Sequence, residues 1–262
     1  MKKAWFVWLP GFVMFAAAPA QAAFHLMQIE QVIGGVHGNT SAQAIQLRLR
    51  FAGQNFINGT RLCAFDADGQ NPVILVNFTS DVPIGSQGAR ILVASANFLS
   101  STNPTTVPNF PMAALIPASY LAAGSLTFET TTGTIYWRLS WGGAGYTGSN
   151  AGQLDNDGDG NFGPPFPGPL PTSNAQALRF TGAASAQSTN NAADYTLTAG
   201  PAVFRNNAGS SFTVKQCLGN PDCNDSVSCT DDTCVSGSCV FTPNNANCPS
   251  NGDRSVTRLL RR

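Results

Sequence analysis

The sequence predicts an all-β protein: an antiparallel β-sandwich with long loops, followed by a small disulfide-rich module near the C-terminus. Three observations carry this. Only 11% of residues are charged, while 26 glycines and 17 prolines punctuate a chain rich in Ser, Thr and Asn, a composition of short strands and polar loops. Apolar residues alternate with polar ones in several short runs, and no segment past the first two dozen residues carries a helical repeat. Six of the seven cysteines crowd into the stretch from Cys217 to Cys248.

In chain order, Lys2 and Lys3, the apolar run from Ala4 to Ala18 and the small-residue pattern Ala20-Gln21-Ala22 read as a secretory signal peptide over residues 1–22, cut before Ala23. The run is broken by Pro10 and falls short of the roughly 20 residues that a spanning helix needs, which disfavours a retained anchor. Every later apolar run is interrupted by polar residues, Gly or Pro, so no transmembrane segment is expected. The expected location is extracellular or on the outer cell surface, with the periplasm as an alternative.

Residues 23–215 hold the strands. Leu26 to Val36 is the first candidate. In AIQLRLRF, Ile45, Leu47, Leu49 and Phe51 share one face and Gln46, Arg48 and Arg50 the other, the period of two of a half-buried strand. GTRLCAF ends in the turn Asp66-Ala67-Asp68-Gly69, and PVILVNF and ARILVAS follow, separated by VPIGSQG. SLTFETTTGTIYWRLSW reads as a hairpin about Thr132-Gly133, and ALRFTGAA, DYTLTAG and SFTV supply the last short strands. Two long loops remain, about Ser100 to Ser119 and Gly142 to Asn174.

The succession AIQLRLRFAGQNFINGTRLCAFDADG, VPIGSQGARILVAS, STNNAADYTLTAG and FRNNAGSSF resembles the bacterial secreted version of the lamin-tail domain, over roughly Phe24 to Val214. The chain departs from that pattern where Gln46 replaces the usual Glu, where no Trp follows Asn58-Gly59, and in the long segment from Gly142 to Asn174. The resemblance implies an immunoglobulin-like β-sandwich without a catalytic centre, used as a binding or tethering module.

Residues 216–248 change character. Apart from Leu218, Val227, Val235, Val240 and Phe241 there is little to bury, so the segment needs covalent staples. Cys217, Cys223, Cys229, Cys234, Cys239 and Cys248 read as three disulfides whose pairing is open among 15 connectivities. Zinc is the alternative, weakened by the lack of a C-x-x-C pair and of any His in the segment. The spacing also resembles short cysteine-rich modules of secreted bacterial proteins. Cys63 is left over, either a buried thiol or one half of an intermolecular disulfide. In the tail, residues 249–262, Arg254, Arg258, Arg261 and Arg262 are basic, and Val256, Leu259 and Leu260 offer a short apolar side for weak contact with anionic lipid; a frayed terminus is the alternative.

The chemistry-bearing residues are few. Asp155, Asp157 and Asp159 fall within five positions and, with Gly160 and the carbonyl of Asn161, match the first half of an EF-hand calcium loop. Phe166 stands where the bidentate Glu belongs, and Pro164, Pro165, Pro167 and Pro169 forbid the second helix. The segment is therefore either a calcium-stapled loop completed by other ligands or a solvated acidic turn. Trp141 and Tyr146 either belong to the core or form a sugar-stacking platform. Neither G-x-S-x-G, H-E-x-x-H nor G-K-[ST] occurs, and Lys215 is the only lysine after Lys3. Glu30 and Glu129 leave room for a two-carboxylate glycosidase, and His25 and His37 do not form a recognisable catalytic pair. With 14 basic and 14 acidic residues, a nucleic-acid partner is not expected. The expected function is non-enzymatic binding or scaffolding, adhesion or tethering, with a surface or matrix polysaccharide or an envelope protein as partner. The rival readings are an extracellular hydrolase and a carbohydrate-binding module.

Overall fold

The computed structural model describes residues 26–152, 160–186 and 189–248. The expected leader, His25, Asp155, Asp157, Asp159 and the basic tail lie outside the described residues. Among those described, no helix is long and apolar enough to cross a membrane.

Two sheets pack face to face. One has four strands in the order β4-β3-β8-β9, comprising β3 (Thr60–Phe65), β4 (Val73–Asn77), β8 (Gly124–Thr130) and β9 (Ile135–Trp141), all antiparallel. The other has six, in the order β11-β10-β1-β2-β5-β7. It contains β1 (Met27–Ile33), β2 (Ala44–Leu49), β5 (Arg90–Ala94), β7 (Phe110–Pro111), β10 (Leu178–Phe180) and β11 (Tyr195–Leu197). Its pairs are antiparallel except for the short β5–β7 contact. Alternation delivers Ile45, Leu47 and Leu49 of β2, with Ile91 and Val93 of β5, into a core shared with Leu62, Leu126, Phe128, Trp137 and Leu139 of the facing sheet. Each such side chain contributes roughly 1.5–3 kcal/mol on burial. Trp137 is fully enclosed; its Nε1 donates to Tyr195 Oη at 2.8 Å, so its one polar atom is satisfied inside the core.

A third layer covers part of the outer face of the six-stranded sheet. It is built from α1 (Ala96–Leu99), β6 (Thr102–Asn103), β12 (Val203–Arg205) and β13 (Ser211–Val214), with β13 between β12 and β6. Phe98, Phe204, Phe212 and Val214 of this layer form a second apolar cluster with Ile33, Ala44, Leu92 and Ala94. The expectation that β2 is half-buried is corrected here: Gln46, Arg48 and Arg50 are buried as well, with the β12 edge meeting Gln46 and the turn at Gly182 meeting Arg48. The strand also stops at Leu49, leaving Phe51 exposed beneath the Arg50 guanidinium.

Both long loops are ordered against the sheets where they are described. Asn109 Oδ1 accepts from the amides of Leu92 and Asn207, tying the first loop to β5 and to the β12–β13 turn. In the second, Phe166 pairs beside Trp141 along the free edge of β9, and the Thr147 amide donates to Ala67 O at 2.8 Å. The second short helix, α2 (Asn191–Asp194), leads directly into β11.

The C-terminal module is a hairpin of β14 (Thr230–Val235) and β15 (Ser238–Pro243), with a short 3-10 turn at Asn220–Cys223. Ser236 and Gly237 both have positive φ, the geometry of a two-residue hairpin turn that follows the strand twist. The cysteines pair 217–234, 223–239 and 229–248, the first with the fourth, the second with the fifth and the third with the sixth. Leu218, Val227, Val235, Val240 and Phe241 are all exposed, so the module has no apolar core to replace those staples.

Candidate functional site

The part of the outer sheet face that the third layer leaves open is polar, and it begins with an irregularity in β1. Between Ile29 and Gln31 the β1–β2 register shifts: Ile29 faces Leu47, and Gln31 faces Gln46. The extra residue, Glu30, turns to the same outer cleft as its neighbour Gln31, the re-aiming of a side chain that a β-bulge permits.

Glu30 is almost fully buried and accepts from every side. Arg90 grips it with two bonds, Nε to Oε2 at 2.9 Å and Nη2 to Oε1 at 3.0 Å; Gln46 Nε2 donates to Oε2 at 2.7 Å; and Arg48 Nη1 lies 3.2 Å from Oε1. Arg48 is itself fully engaged, through Nε to Gln28 Oε1 at 2.7 Å and Nη2 to Gly182 O at 2.7 Å. Burial draws the Arg48 guanidinium below its ordinary pKa and the Glu30 charge opposes the shift; Arg90 and Arg179 act with burial, as like charges must.

The two glutamines fix the wall of the cleft. Gln46 Oε1 accepts from the Arg205 amide and Gln31 Nε2 donates to Val203 O at 3.3 Å, so side-chain amides take up main-chain groups of the β12 edge. The cleft measures about 120 Å³ and is lined by Glu30, Gln31, Gln46, Arg90, Arg179, Val203 and Arg205. A larger neighbouring cleft, about 270 Å³, shares Arg90 and Arg205 and continues along Ser86, Gln87, Asn206 and Asn207. Asn207 is anchored from both ends of its amide: Oδ1 accepts from the Ile84 amide at 2.8 Å, and Nδ2 donates to Ile84 O at 3.0 Å and to Arg90 O at 3.2 Å. The result is a pre-set polar groove of guanidinium, amide and hydroxyl groups.

The residues singled out from the sequence fall elsewhere. Trp141 is 0% exposed, with Nε1 donating to Tyr120 O at 2.9 Å, and Tyr146 is 6% exposed, with its hydroxyl donating to Ser149 O at 2.9 Å. Neither presents a ring face to a ligand, so the surface-platform reading gives way to the core reading. Asn161 is exposed, sits in a bridge with Ala151 at the base of the acidic loop, and accepts from the Gly163 amide at 3.0 Å. Asp66 accepts from Gln70 and Asp68 amides and from Asn71 Nδ2, and these bonds, Asn71 foremost, hold its carboxyl below the ordinary range, as a capped hairpin turn requires. Glu129 is buried against Arg61 on the four-stranded sheet while Glu30 belongs to the other sheet, so the two glutamates are not brought together. His37 Nε2 lies 2.9 Å from Lys215 O at the start of the cysteine module. All six clustered cysteines are in disulfides. The Cys63 thiol is buried, and burial, reinforced by Glu129, pushes its pKa up to about 11.

The groove escaped sequence reasoning because Arg179 and Arg205 sit on separate short strands with no shared motif. The one available signal was Glu30, a lone carboxylate inside an otherwise apolar and amide-bearing run. No protein-family model matches the chain, and no curated protein or solved structure matches it.

Proposed function

We propose that the chain is a secreted or cell-surface protein that binds or scaffolds without catalysis, tethering a surface polysaccharide or an envelope protein. One observation carries this reading: the groove beside β12 is rigid and polar, and its carboxylate is consumed by four contacts from Arg90, Arg48 and Gln46. Such a carboxylate holds a surface in place and is poorly placed to trade protons with a substrate. Three disulfides in a module without a core fit an oxidising compartment and support the reading of residues 1–22 as an export signal. The lamin-tail-like reading rests on the quoted motifs and on the β-sandwich that carries them. A carbohydrate-binding module is the second reading, favoured by the amide and hydroxyl lining of the groove.

The test is to incubate the exported protein with envelope fractions and with polysaccharides, and in parallel to screen it for turnover of polysaccharides, esters and peptides. Retention without turnover is expected; turnover abolished by one carboxylate or serine substitution overturns the reading. The proposal includes calcium support of the loop bearing Asp155, Asp157 and Asp159, where a bound ion cancels carboxylate repulsion and stabilises the folded chain. Millimolar calcium is expected to raise the melting temperature, and Asp157→Ala to remove that response. Superimposable curves in calcium and chelator remove calcium from the proposal.

A further inference from the structure

We infer that the cleft bounded by β5, β10 and β12 binds the oxyanion group, carboxylate or sulfate, of an acidic polysaccharide through Arg179 and Arg205. The inference rests on the binding function proposed above and names the ligand class of that site.

The charges around the cleft are unbalanced. Arg48, Arg90, Arg179 and Arg205 gather about the single carboxylate of Glu30, four positive charges against one negative, in a chain whose formal net charge is zero. Glu30 is saturated by its three partners, and Arg48 and Arg90 are spent on it and on backbone carbonyls. Arg179 and Arg205 remain: both are exposed, both line the cleft, and among the described residues neither guanidinium has a hydrogen bond or an ion pair. An arginine presents a planar fork that matches a carboxylate or a sulfate with two parallel bonds, and two such forks at one small cleft form an oxyanion receptor.

Size and surroundings narrow the ligand. A cleft of about 120 Å³ admits an oxyanion head group. The cleft of about 270 Å³ that adjoins it across Arg90 and Arg205 offers Ser86 and Gln87 to the hydroxylated units that would follow the charged one. The walls are set before binding, since Gln46 and Gln31 hold β12 against the central sheet and Asn207 holds the following turn. Little backbone of the cleft then has to be ordered on binding.

Calorimetric titration and thermal melting of the full exported chain, at an ionic strength of about 0.15 M so that diffuse attraction is screened, test the inference. The probes are an oligogalacturonate, a sulfated dextran oligosaccharide and a neutral dextran of equal length. Saturable binding and a raised melting temperature are expected for the acidic probes and not for the neutral one; the preferred acid identifies carboxylate or sulfate as the source. The double variant R179Q/R205Q is expected to bind about tenfold more weakly or worse, and R179K/R205K, which keeps the charge and loses the fork, to fall between. Because both side chains are exposed, the double variant should keep the wild-type fold, read as unchanged far-ultraviolet circular dichroism. K215Q, which removes a positive charge outside the cleft, should bind as wild type. Failure of both acidic probes to bind, or equal affinity of wild type and R179Q/R205Q, overturns the inference. If envelope material is still retained in that case, the binding function stands and only its ligand is misassigned; substrate turnover in place of retention would overturn the binding function itself.

Discussion

Glu30 receives hydrogen bonds from Arg90 and Gln46 and an ion pair from Arg48, residues of two different strands, and the outer face of the central sheet is organised about that one carboxylate. Glu30→Gln keeps the shape and removes the charge, leaving Arg48 buried without a counter-charge. The expected loss is about 3 kcal/mol, since breaking one side of a buried pair exposes the full desolvation cost of the other; urea denaturation measures it, and a loss under about 0.5 kcal/mol would mean that water reaches Arg48 freely. Cys63 is the opposite kind of buried group, needing to stay neutral. Its thiol is pushed from the ordinary 9.0 to about 11, so the folded state holds its proton where the unfolded chain releases it. The stabilisation is fully present below pH 9 and is lost as pH rises toward 11, by an amount on the order of 2 kcal/mol. Cys63→Ala is expected to flatten that part of the stability profile, and the wild-type thiol to react with iodoacetamide only once the chain unfolds. Rapid alkylation of the native protein would place the sulfur at the surface and restore the intermolecular disulfide as a reading.

At the level of elements, β12 owes its position less to its own three residues than to amides reaching it from other strands. Asn207→Ala removes three side-chain bonds at the turn that follows it and is expected to cost about 1–3 kcal/mol. Hydrogen exchange at Phe204 and Phe212 should accelerate more than exchange at Leu126 or Leu139; a uniform change would show that the third layer does not open separately. Strands with several turns of alternation, such as AIQLRL and IYWRLSW, were legible in the sequence because period two requires no knowledge of the partner. β6 and β7, with two residues each, and β12, with three, are too short to show any period. The bulge in MQIEQVI was hidden for a related reason: strict alternation sends Glu30 and Gln31 to opposite faces, and only the register against Leu47 and Gln46 places both outward. Gln46 and Arg48 read as a solvent face because their partners, Glu30 and the Arg205 amide, come from distant parts of the chain. Sequence reading could weigh the acidic loop and the aromatic strand, where residues lie side by side; it had no means of assembling Arg179 with Arg205.

For the whole molecule, the separation into a sandwich with its own apolar cores and a module held by three staples has a direct test. Mild reduction is expected to make residues 217–248 sensitive to protease while the main melting transition of the sandwich persists, because no disulfide joins the two parts and the sandwich clusters contain no cystine. Collapse of the entire transition on reduction would show that the module props up the sandwich. The join between them is β13, which continues through Lys215 and Gln216 to Cys217 and is bonded on one side to β12 and on the other to β6. A strand so placed meets tension differently from an edge strand. A pull applied through the module runs along β13 and loads the hydrogen bonds of both neighbours in shear at once, whereas an edge strand peels away one bond at a time. A load entering through the module would therefore first meet a strand clamped from two sides.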